Sequence, residues 1–229
     1  MDSSLGVLAL GFVFGLQHAT DADHVVAVAS IVSRTNRFTS GALVGAFWGL
    51  GHTLTIAAAG TAIVLFNVTV APRAGLSMEL AVALMLMALG VARIVRLQRG
   101  REERPGPPPD APGFRHVLRT LGPAQAARSA VTGLVHGLAG SAAVALLVLS
   151  TVRSPYEAVV YLLVFGLGTI AGMVAITALL SVPFAARVPV VFRFRRALAL
   201  GTGLLSLGFG LYLAVHIGFV DGLLLAGRR

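Results

Sequence analysis

The chain contains no cysteine and no lysine, and only 12% of its residues are charged. Without cysteine there can be no disulfide, no thiolate metal site and no thiol relay across a membrane. Without lysine there is no P-loop, whose lysine must reach the nucleotide phosphates. The low charge excludes an ordinary water-soluble domain, where about a quarter of residues are charged. The long apolar runs also hold almost no proline and show no period-two alternation, which excludes the short alternating strands of a barrel.

What remains is apolar. Hydrophobic residues make up 56% of the 229, and mean hydropathy is +0.87. Six stretches reach the roughly 20 residues that a bilayer crossing needs: Leu5–Val32, Gly41–Val68, Leu76–Val95, Ala130–Val152, Ala158–Phe184 and Ala197–Phe219. The third is the shortest, clipped by Glu79 and Arg93. The opening MDSS lacks a basic n-region, so the first stretch is expected to stay in the mature protein. The fold class expected is an all-α integral membrane protein with six transmembrane helices.

All 18 basic residues are arginines, and net charge is +9. Their placement argues against nucleic acid and for a membrane orientation. They cluster at 34–37, 93–128 and 187–196, whereas Arg73, Arg153, Arg228 and Arg229 fall on the other side of the predicted spans. The positive-inside rule then puts both termini outside a cell (inner) membrane. Between the third and fourth spans lies REERPGPPPDAPGFRHVLRT, Arg101–Thr120, an Arg- and Pro-rich cytoplasmic linker. Three regions follow: 1–97 with three helices, linker 98–128, and 129–229 with three more.

The two halves resemble each other. GLQH at Gly15–His18 matches GLVH at Gly133–His136, FWGLGHT at Phe47–Thr53 matches VFGLGTI at Val164–Ile170, and LMLMALG at Leu84–Gly90 matches LLSLGFG at Leu204–Gly210. The offsets are 118, 117 and 120, in order. With three spans per half, the second half enters the membrane upside down relative to the first. A 3+3 inverted repeat is a transporter signature, with its substrate site near the midplane where the halves meet.

The polar residues gather in one place. GLQHATDADHVVAVAS, Gly15–Ser30, carries His18, Asp21, Asp23 and His24 inside a membrane-grade segment. A charged Asp at a membrane helix centre costs roughly 2.5–3.5 kcal/mol, so the pair demands compensation. At about 100° per residue, His18, Asp21 and His24 share one face of a continuous helix and Asp23 points away. Either the helix is broken here, or Asp23 orients another group, such as a ligand imidazole. His52 in the second span, behind Gly49 and Gly51, is a further ligand or proton acceptor. His136, Ser141 and Thr169 of the second half complete the shell, line a path, or simply bond between helices. His116, His216 with Asp221, Met85 and Met87 carry less: solvated, terminal and packing positions respectively.

Imidazole with carboxylate suits Ni²⁺, Co²⁺, Zn²⁺ or Fe²⁺, and the lack of thiolate argues against Cu(I). The cluster does not suit zinc peptidase chemistry. His18 is followed by Ala19, no Glu is near, and the two histidines are not spaced as H-E-x-x-H requires. An enzyme is therefore not expected, nor a bound cofactor; the metal is substrate.

HATDADH at His18–His24 resembles the H-A-x-D-A-D-H signature of the nickel/cobalt transporter family, and GHTLT at Gly51–Thr55 resembles its second motif. The resemblance implies that His18, Asp21, Asp23, His24 and His52 recognise metal, that the substrate is Ni²⁺ or Co²⁺, and that the lipid bilayer is the setting. The short chain is also similar to the urease accessory membrane proteins of that superfamily, which implies a link to nickel-enzyme maturation. Typical members have eight spans with the signature in the second; here the first carries it. No L-G-x-D-T-A-T-E motif is present, and HGLAGSAAV at His136–Val144 occupies that region. Three functional expectations follow: a permease for Ni²⁺ or Co²⁺, a non-transporting nickel-delivery accessory, or a proton-coupled efflux protein.

Overall fold

The computed structural model describes residues 2–32, 38–66, 68, 70–99, 121–151, 154–185 and 194–224, with the side chains of 2–4, 140–151, 183–185 and 195 left out. Among the described residues there is no strand. The helices are α1 (Asp2–His18), α2 (Ala22–Val32), α3 (Phe38–Phe66), α4 (Pro72–Gln98), α5 (Pro123–Thr151), α6 (Pro155–Ala185) and α7 (Arg195–Val215). A π-helical turn, His216–Val220, ends the last of them.

Local chemistry sets several boundaries. Pro72, Pro123 and Pro155 each open a helix, where the missing N–H has no intrahelical partner to lose and φ is already suited to the helix. Gly122, at φ +75, turns the chain into α5, a conformation that side chains with a Cβ avoid.

Among the described residues, four helical segments are long and apolar enough to cross a bilayer: Phe38–Phe66, Pro72–Gln98, Pro155–Val182 and Arg196–Val220. A fifth results if Leu5–His18 and Ala22–Val32 form one span bent by 55°. The first apolar stretch is therefore a broken helix and not the continuous one that its length suggests. That tally omits α5, which is 29 residues long and lies on the fourth apolar stretch. The chain is thus a helical membrane protein with four or five spans so counted. Leu10, Leu54, Leu84, Leu163, Leu179 and Leu204 stand on the outer surface, as helices apolar all round require when lipid is the solvent.

α3 lies between α5 and α6, α1 lies along α6, and α4 pairs with α7. Glycines set these crossings. A Cβ on Gly15 would overlap the Phe165 carbonyl oxygen and come 2.8 Å from Thr169 N, and one on Gly168 would overlap the carbonyl of Phe12. In the α3–α5 crossing, a Cβ on Gly133 would overlap the Trp48 carbonyl and come 2.9 Å from His52 N, and one on Gly51 would overlap the Ala130 carbonyl. Residues 12, 15 and 16 against 165, 168 and 169 thus repeat as 130, 133 and 134 against 48, 51 and 52. In the α4–α7 crossing, a Cβ on Gly90 would come 2.6 Å from Gly203 O and one on Gly210 would come 2.7 Å from Ala83 O, again in exchanged positions. Small residues let backbones approach closely where lipid offers no hydrophobic drive between helices.

Candidate metal centre

The break between α1 and α2 shapes the site. Thr20 N donates to Gln17 O at 2.8 Å and Asp21 N to His18 O at 3.1 Å, which tightens the end of α1. Val25 N then donates to Asp21 O at 3.0 Å, which starts α2 in its new direction. Asp23 lies in the first turn of α2, where a carboxylate meets the positive end of the helix dipole. Its Oδ1 accepts from His24 N at 2.9 Å.

Four imidazoles converge at this break, from α1, α2, α3 and α5. Ring centres of His18 and His24 are 4.8 Å apart, His18 and His52 5.1 Å, His24 and His52 5.1 Å, and His24 and His136 4.2 Å. His24, His52 and His136 are buried, at 1%, 1% and 2% exposure. His18 is less enclosed, its side chain 18% exposed beside an Asp21 side chain at 51%.

The break resolves the two aspartates into different tasks. Asp21 Oδ2 lies 2.8 Å from His18 Nδ1 and faces outward. Asp23, which a continuous helix would turn away, instead bridges two imidazoles. Its Oδ1 is 3.2 Å from His24 Nδ1 and its Oδ2 is 2.7 Å from His136 Nε2. The triad of His18, Asp21 and His24 on one helical face is therefore corrected: Asp23 joins the histidines, and Asp21 stands behind His18. A carboxylate behind a ligand imidazole fixes its tautomer and aim.

The hydrogen bonds leave lone pairs over. A carboxylate only accepts, so His18 donates from Nδ1, His24 from Nδ1 and His136 from Nε2. A neutral His18 then accepts at Nε2 from His52 Nε2, 3.1 Å away. What is left is His24 Nε2, His52 Nδ1 and His136 Nδ1, and each is buried with no hydrogen-bond partner among the described residues. Leaving a buried acceptor unsatisfied costs about 1–3 kcal/mol. A cation removes that cost at the nitrogens it binds. His18, His24 and His52 can each place one donor atom within 4.8 Å of the others, and so can Asp23, His24 and His136.

The second-half residues divide. His136 enters the site through Asp23. The Thr169 hydroxyl donates to Phe165 O at 3.0 Å, within its own helix. Ser141 has its backbone in α5, but its side chain lies outside the described residues, as does the whole of His116. His216 and Asp221 pair at 3.1 Å on the π turn, in an exposed position. Met85 packs against the core and Met87 against Gly210.

Sequence reasoning missed Trp48, the single tryptophan. It is fully buried, stacks on His24 with ring centres 6.2 Å apart, and meets His136 edge-on at 5.9 Å. The signal was its place one helical turn before His52, on the same face.

Fold and site together define a helical membrane protein with a histidine–aspartate cluster among its apolar helices, suited to a divalent transition metal. Comparison with known proteins gives the family. Over 222 residues the chain is 35% identical to the urease accessory protein UreH of Bacillus sp. (strain TB-90), covering 96% of this chain and 95% of that protein. The chain belongs to this family, the short urease accessory relatives of the nickel/cobalt transporters that HATDADH resembles. No family model matches the chain, and no solved structure matches it significantly.

Proposed function

We propose that the chain is a permease for divalent transition-metal ions, Ni²⁺ or Co²⁺, that binds its substrate within the membrane. The convergence of His18, His24, His52 and His136 with Asp23 carries this reading: it joins both halves of the chain and leaves buried nitrogen lone pairs unpaired. His18, Asp23, His24, His52 and His136 are the proposed ligand pool, and Asp21 holds His18. The protein is read as six spans in a 3+3 inverted repeat, termini outside the inner membrane. The glycine crossings support this, because the α1–α6 and α3–α5 contacts exchange under the same offsets that align the sequence halves. Inward movement needs no ATP, since a dication gains about 4.6 kcal/mol per 100 mV. Outward movement requires coupling, and proton exchange is the route open to such a cluster. No catalytic step and no resident cofactor are proposed.

A second reading follows from the relative's name. A urease accessory role is equally served by a protein that holds nickel for an enzyme's maturation without moving it across the membrane. Flux of ⁶³Ni²⁺ into proteoliposomes, with Co²⁺ and Zn²⁺ as competitors, separates the two. The permease reading predicts accumulation that Asp23→Asn abolishes. Metal bound by the wild type but never carried across favours the accessory reading.

A further inference from the structure

The described residues hold two overlapping ligand sets. His18, His24 and His52 form one, all from the first half; Asp23, His24 and His136 form the other, completed only by α5 of the second half. His24 belongs to both and is 1% exposed.

We propose that one divalent cation occupies either of these positions, never both, and passes between the halves by exchanging ligands around His24. The transport meaning of that exchange rests on the permease reading above. A neutral imidazole has one lone pair, so His24 can serve one position at a time. The sets differ in charge: the first is three neutral imidazoles, whereas the second contains the Asp23 carboxylate. The bridging position is already drawn together, with Asp23 Oδ2 and His136 Nε2 2.7 Å apart across a shared proton. Bonds of about 2.0–2.2 Å to such ligands put donor atoms roughly 3–3.5 Å apart, so a cation fits between them with under about 1 Å of widening once the Nε2 proton moves to His136 Nδ1, which the hydrogen bonds leave unprotonated. Trp48 packs on His24 and His136, which holds both rings while the ion changes partners.

The test uses the purified full-length chain with Co²⁺, whose visible absorption reports its ligands, and follows Trp48 fluorescence for binding. The wild type is expected to bind one Co²⁺. His136→Ala is expected to keep one Co²⁺ in the first position with an altered spectrum, an affinity about 10–100-fold lower, and flux at least about tenfold lower. His52→Ala keeps one Co²⁺ in the bridging position with a second, different spectrum, and His24→Ala binds neither way. His136→Gln retains a polar partner for Asp23 and covers the case in which the alanine variant fails to fold. Two Co²⁺ per wild-type chain, an unchanged spectrum in His136→Ala, or complete loss of binding in a stably folded His136→Gln each overturns the proposal. Wild type without flux, but with the distinct spectra, overturns only the permease reading.

Discussion

Alanine at Gly51 and alanine at Gly168 should damage the protein by the same amount, because the two glycines face matching obstacles. A Cβ on Gly51 would overlap the Ala130 carbonyl oxygen, with Ala130 C at 3.0 Å and Leu134 N at 3.1 Å. One on Gly168 would overlap the Phe12 carbonyl oxygen, with Phe12 C at 3.0 Å and Leu16 N at 3.2 Å. Both obstacles are helix backbone, which cannot rotate aside as a side chain does, so the helices must separate. Overpacking of this kind costs about 1–3 kcal/mol, and the upper part of that range applies. Alanine returns about 1 kcal/mol over glycine in a helix, for a net loss of about 1–2 kcal/mol in each variant. Gly201→Ala is the control, since a Cβ there meets nothing within 4 Å among the described residues; it should be neutral or stabilising by up to about 1 kcal/mol. Unfolding in mixed micelles, followed by circular dichroism, measures all three. The reasoning fails if Gly51→Ala is as stable as Gly201→Ala, or if Gly51→Ala and Gly168→Ala differ as much as either differs from the control.

Three further outcomes are expected. Asp23→Asn puts an amide between two imidazole N–H groups where a carboxylate accepted both, and removes the charged member of the ligand pool; metal affinity should fall at least about 100-fold by isothermal titration, beyond the range for groups that only orient ligands. Asp21→Asn acts only through His18 from a half-exposed position, so affinity should fall nearer about tenfold while stability stays within about 0.5 kcal/mol of wild type. Ser206→Ala removes a buried bond from Ser206 Oγ to Leu86 O of 2.8 Å between α7 and α4; it should cost about 0.6 kcal/mol and leave metal binding unchanged.

Much of this architecture is legible in the sequence. The apolar runs mark the helices because a bilayer demands length and apolarity, and both are local properties. The paired motifs GLQH/GLVH and FWGLGHT/VFGLGTI mark the crossings because close approach requires glycine on both partners. The break at Ala19–Asp21 is half legible: periodicity turns Asp23 away from the other three groups, which leaves a broken helix and an orienting Asp23 as alternatives, and it cannot choose between them. HATDADH shows only that four polar groups must be accommodated. The pairing of Asp23 with His136 spans 113 residues, a distance at which no local pattern acts. Thr169 aligns with His52, which leaves shell, path and packing roles open; its hydroxyl donates to Phe165 O of its own helix. Trp48 could have been found by following the His52 face back one turn.

The most direct measurement is X-ray absorption at the nickel edge on the full-length chain loaded with one Ni²⁺. The account predicts a nitrogen- and oxygen-only shell at about 2.0–2.2 Å, with the outer scattering of at least two imidazoles, and no imidazole scattering when His24→Ala is given the same Ni²⁺. A shell of water oxygens without imidazole scattering, the same in wild type and His24→Ala, contradicts it.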